Sequence, residues 1–76
     1  MTKMESPICL KSNIDMLSAI EVIDYLYCDK YITRTSEEEN GKTVVINWFD
    51  KNTKLIAKWT NEYRNLMISK KLLDNN

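Results

Sequence analysis

The sequence contains no histidine. That removes His-dependent triads, Cys–His nucleophiles and the commonest metal ligand. It contains a single glycine, so neither a P-loop nor a dinucleotide-binding fingerprint can be written in it. Its two cysteines, Cys9 and Cys28, stand nineteen residues apart and match no standard zinc spacing. No catalytic residue, metal or cofactor is expected, and the chain does not read as an enzyme. No apolar stretch approaches the ~20 residues of a membrane span. The opening residues, MTKMESPICL, hold no apolar run of secretory-signal length. The expectation is a cytoplasmic protein with two reduced, mostly buried thiols, because unpaired cysteine commonly behaves as a small hydrophobe.

What is present fits one small domain, 1–76, with loose ends at 1–6 and 73–76. A chain this short buries only roughly 60–65% of its unfolded surface, so a partner or a staple would add needed stability. One proline, one glycine and 43% hydrophobic residues argue against disorder. Net charge is zero but divided. Residues 1–50 carry nine acids and five bases, and residues 51–76 carry two acids and six bases. The result is a dipole rather than a polycation, so nucleic acid is not the expected partner.

Along the chain, Ile8 and Leu10 alternate with Cys9 and Lys11 in a short strand, with Pro7 at its start or on an edge. Asn13 or Asp15 can cap a helix, and Ser18-x-x-Glu21 is a second possible capping box. From Met16 to about Lys30 the period is helical. Met16, Ala19, Ile20, Ile23, Leu26, Tyr27 and Tyr31 share one side. Residues 31–35 read as a strand, Asn40-Gly41 as a tight hairpin turn, and 43–49 as the return strand. A simple two-residue turn pairs Val44, Ile46 and Trp48 with Glu37, Thr35 and Thr33. Val45, Asn47 and Phe49 then share the other face with Arg34 and Ile32. Both faces carry apolar bulk, so either the register shifts or the second face meets a partner. Finally, Ile56, Trp59, Tyr63, Leu66, Lys70 and Leu73 recur at helical spacing, predicting a helix from Asn52 or Thr53 to Leu72 or Leu73. The expected fold is α+β in the order β-α-β-β-α: a three-stranded sheet with two helices packed on one face.

Candidate binding residues follow from this layout. Phe49 and Arg34 are of the types interfaces favour, whereas Trp48 and Trp59 fit apolar periods and read as core. Lys51, Lys54 and Lys58 line one side of the last helix start, where cations oppose the macrodipole. They could meet phosphates, as of a nucleic acid, or an acidic partner, or simply keep that face wet. Glu37, Glu38 and Glu39 form an acidic loop. It could hold a cation or a basic peptide, or it could be a solvated turn that discourages edge pairing.

In ICLKSNID (8–15), AIEVIDYLYCDKYIT (19–33), KTVVINW (42–48) and WTNEYRNLM (59–67), the chain resembles HxsD. That family comprises small accessory proteins of the His-Xaa-Ser peptide-modification systems. The resemblance covers roughly residues 8–68, and its most motif-like part is Trp59-x-Asn61-Glu62. It implies an accessory role beside a radical-SAM maturase or its precursor peptide, with no cofactor in this chain. Asn61 and Glu62 carry over as candidate contacts, and Asn65 lies one helical turn further on. The expected function is therefore a non-enzymatic adaptor with a protein or peptide partner, or a homodimer. The alternative is a phage or mobile-element inhibitor that binds a nuclease or polymerase surface through its acidic loop.

Overall fold

A computed structural model describes residues 3–74. Of the expected loose ends, 1–2 and 75–76 lie outside the described residues. Five strands and two helices follow in the order β1 (Pro7–Lys11), α1 (Met16–Tyr27), β2 (Thr33–Glu39), β3 (Lys42–Phe49), β4 (Leu55–Thr60), β5 (Asn65–Ser69) and α2 (Lys70–Asp74). The strands form one antiparallel sheet ordered β1-β5-β4-β3-β2. This is a sheet-dominated α+β fold. The expected three-stranded sheet with two packed helices is corrected to five strands and one principal helix.

The correction lies in residues 52–72, where the predicted helix is a hairpin. Ala57 and Trp59 alternate along β4, and Leu66 and Ile68 alternate along β5, at the two-residue period of a strand; a register shift beside Trp48 and Phe49 brings Ile56 into the core as well. A helix built on the Ile56–Trp59–Tyr63–Leu66 stripe would turn Ala57, Ile68 and Leu72 toward water. The hairpin buries all three. Burial is worth roughly 1.5–3 kcal/mol for each of Ile68 and Leu72. Between the strands, the Thr60 carbonyl accepts from the Arg64 amide at 2.8 Å, the four-residue spacing of a helical bond. Arg64 then enters the left-handed region at φ 52°, which turns the chain back instead of continuing the helix.

The other elements follow the sequence closely. Asp15 is the cap of α1, its carboxylate accepting from the Ser18 amide at 2.7 Å. That bond holds the Asp15 carboxyl below the usual aspartate range. Ala19, Ile23 and Tyr27 of α1 pack on Ile46, Trp48, Ala57, Trp59, Leu66 and Ile68, so α1 covers one face of the sheet. Leu26, expected on the same side, stays half exposed. The Trp59 indole donates to the Ile14 carbonyl at 2.9 Å, and the Ile14 amide donates to the Arg64 carbonyl at 2.8 Å. These two bonds pin the start of α1 to the β4–β5 hairpin.

Asn40 and Gly41 both take positive φ, as a type I′ turn requires. A β-bulge between Glu37 and Glu38 then shifts the register by one residue. Arg34 therefore lies opposite Trp48 on the α1 side, not with Phe49. There its guanidinium stands 3.9 Å from the Asp24 carboxylate of α1, which also accepts from the Tyr31 hydroxyl. The bond to Asp24, with some burial, pushes the Tyr31 phenol above its ordinary value. The neutral phenol is thus favoured in the folded state. Its stabilisation is complete below the ordinary tyrosine pKa and is lost as pH rises through the raised one. Asp24→Asn should return Tyr31 toward the ordinary range, read as an earlier tyrosinate absorbance in an alkaline titration. An unchanged curve would mean that Asp24 does not hold the phenol.

Candidate functional site

The face of the sheet turned away from α1 gathers most of the unexplained side chains. Cross-strand partners share a face, so the register places Thr35, Asn47, Lys58, Met67 and Cys9 in one row across all five strands. At the spacing of neighbouring strands the row is about 19 Å long. Beside it run Glu37, Val45, Thr60 and Asn65 on one side, and Thr33 with Phe49 on the other. Val45, Phe49, Lys58, Thr60, Asn65 and Met67 are all partly exposed. Asn47 is only 7% exposed, although no helix lies over it, because its larger neighbours flank it. Its side-chain amide donates to the Glu37 carboxylate at 3.1 Å, which orients both groups.

The face is graded. Glu37 marks an acidic margin on the edge strand β2. Lys58 is central and stretches a long apolar stem between Asn47 and Met67. Met67 and Cys9 form a softer, sulfur-rich margin toward β1. Methionine and aromatic side chains, with few fully buried charges, are what contact surfaces favour.

Of the residues singled out from sequence, Phe49, Lys58, Asn65 and Glu37 are brought together here. Arg34 is on the opposite face, moved there by the bulge. Asn61 and Glu62 stand exposed in the β4–β5 turn, where the Asn61 amide donates to the Val44 carbonyl at 2.8 Å. Glu38 and Glu39 pair with Thr43 and Lys42 beside the β2–β3 turn. Lys51 is exposed in the β3–β4 connection, and Lys54 is ion-paired to Glu5 at 3.3 Å. With no helix there, Lys51, Lys54 and Lys58 do not form one side of anything. Sequence reasoning missed Met67, Thr60 and Cys9. For Met67 and Thr60 the signal was the two-residue alternation of 57–60 and 65–69, masked by the longer helical stripe; for Cys9 it was the alternation of 8–11, set aside by the expectation of a buried thiol.

Both cysteines are free and exposed, which corrects the expectation of buried thiols. Cys9 points away from the core by strand alternation, and Cys28 sits at the C-cap of α1. Among the described residues no three acidic or sulfur side chains gather closely enough to hold a metal ion. No helix among them is long and apolar enough to cross a membrane. No family model, curated protein or solved structure matches the chain.

Proposed function

We propose that the protein is a non-enzymatic binding module that takes a protein or peptide partner on the uncovered face of its sheet. One observation carries this reading: Val45, Phe49 and Met67 lie partly buried and uncovered around an oriented Asn47–Glu37 pair, on a sheet whose other face is packed against α1. The partner we propose is a radical-SAM peptide maturase or its precursor peptide, on the resemblance to HxsD. Asn65 lies on the face, and Asn61 and Glu62 lie at the turn that bounds it, so one ligand can reach all three.

The experiment is recovery of a tagged protein from its native host, with bound proteins and peptides identified by mass spectrometry. Phe49→Glu and Met67→Glu place unpaired charge in the patch and should reduce recovery of the maturase or precursor by about tenfold or more. Leu17→Glu, on the exposed outer side of α1, should leave it unchanged. If neither a radical-SAM enzyme nor a modified peptide is recovered, that partner is wrong. Should both patch variants bind as well as the parent, the face is wrong. A dimer dissociated by Phe49→Glu would identify the occupant as a second copy.

A second reading has one observation in its favour. Glu38 and Glu39 stand exposed beside the tip of the β2–β3 hairpin, where an inhibitor of a nuclease or polymerase could present them as phosphate mimics. Reversing those charges would abolish inhibition but spare binding through the sheet face.

A further inference from the structure

The end of the sheet where β5 runs into α2 holds a cleft of about 580 Å³. That is within the usual range of small-molecule sites, roughly 300–1,000 Å³. Leu55, Ile56 and Leu72, each 8% exposed, supply apolar lining. Lys3, Lys30, Lys54 and Lys71 also line it, and come from four separate parts of the chain. Two of these lysines converge on a single carboxylate. Lys54 Nζ lies 3.3 Å from one Glu5 oxygen, and Lys71 Nζ lies 3.0 Å from the other. Both lysines are exposed and stand at the rim of the cleft, spaced to meet the two oxygens of one carboxylate at once. The second acid in the lining, Asp50, is committed elsewhere: one carboxylate oxygen accepts the amides of Asn52 and Lys54 at 2.8 and 3.0 Å.

The segment carrying Glu5 is fastened independently of its side chain. The Ser69 hydroxyl donates to the Glu5 carbonyl at 2.7 Å, and the Lys70 amide donates to the Ser6 carbonyl at 3.0 Å. The carboxylate can thus leave the clamp while the backbone stays in place. The hydrogen bonds and charges of Lys71 and Lys54 hold the Glu5 carboxyl below the usual glutamate range.

From this geometry we propose that the cleft binds a small organic carboxylate with an apolar body, and that Glu5 fills the anion position when the ligand is absent. The ligand's carboxylate takes over Lys54 and Lys71, and its hydrocarbon part lies on Leu55, Ile56 and Leu72. Glu5 is a tethered competitor with an effective concentration in the millimolar range. The unaltered protein therefore binds such ligands weakly, and removing the Glu5 charge exposes the site's full affinity.

The test uses the full chain and amide NMR titrations with octanoate, octanamide and acetate. Octanoate should shift the Lys54, Ser69 and Leu72 amides saturably. Glu5→Gln should tighten that binding by about tenfold, and Lys54→Ala with Lys71→Ala should weaken it by about tenfold or more. Octanamide and acetate, each lacking one half of the ligand, should bind at least about tenfold more weakly than octanoate. Equal binding of octanamide would overturn the clamp, and equal binding of acetate would overturn the apolar lining. Shifts centred on Val45 and Met67, or no gain from Glu5→Gln, would also sink the proposal. Leu55 adjoins Phe49 across β3–β4, but Lys54, Lys71 and Leu72 lie outside the sheet-face patch, so loss of the clamp and loss of the patch are read by different variants.

Discussion

Trp59→Ala should abolish cooperative folding near 25 °C. The side chain is 2% exposed and lies between Ile46 on β3 and Leu66 on β5, beneath α1. Truncating a buried aromatic costs about 3–5 kcal/mol. The Ile14 carbonyl, which now accepts from the indole, would also lose its partner, at about 1–3 kcal/mol if it stays buried. At roughly 0.05–0.15 kcal/mol per residue, a domain of this size has about 4–11 kcal/mol in total. The loss is comparable to the whole. Far-UV circular dichroism and thermal melts would show it. Trp59→Phe keeps the ring and forfeits the hydrogen bond, so it should melt lower than the parent but still cooperatively. Trp48→Phe gives the matched comparison. The Trp48 indole N–H is buried without a partner among the described residues, so only area is lost there. A cooperative melt of Trp59→Ala within a few degrees of the parent would contradict the position of this residue.

Ile68→Lys and Tyr63→Lys should give opposite results, and together they distinguish a hairpin from a helix in this segment. Ile68 is fully buried in β5, flanked by Ile8 and Ala57. Losing its side chain costs about 2–5 kcal/mol, and the added unpaired charge makes the cost larger. Tyr63 is 67% exposed in the β4–β5 turn, so its replacement should stay within about 0.5 kcal/mol. A helix following the Ile56–Trp59–Tyr63–Leu66 stripe predicts the reverse, because Tyr63 would face the core and Ile68 the solvent. Urea unfolding midpoints of the two variants settle which pattern holds.

These contrasts also show how far the sequence could be read. The first strand, α1 and the Asn40-Gly41 turn were legible because each carries a local signal: Pro7 before an alternation, a cap at Asp15, and a residue pair suited to positive φ. The β4–β5 hairpin carries two signals at once. Ile56, Trp59 and Leu66 fit a helical stripe while Ala57 with Trp59 and Leu66 with Ile68 fit a two-residue period, and only the burial of Ala57, Ile68 and Leu72 against other elements decides between them. That decision is tertiary, so composition and spacing could not make it. The site inherited the same gap. Phe49, Lys58, Asn65 and Glu37 were each picked out singly, but their meeting on one face depends on β4 and β5 joining the sheet and on the bulge that brings Glu37 to the Phe49 side. Arg34 was grouped with Phe49 because the bulge that leaves Val44 unpaired has no mark in the letters, yet it exchanges the faces of Thr33–Glu37 relative to β3.

The sheet order has a temporal meaning. The first strand sits beside the last, with Pro7 against Ser69 and Ile8 against Ile68, although sixty-odd residues separate them. During synthesis β1 leaves the ribosome before the other strands of the sheet and has no docking place until β5 has also emerged. The nascent chain must carry an orphan edge over the sixty-odd residues between them, and closing the sheet is a long-loop event.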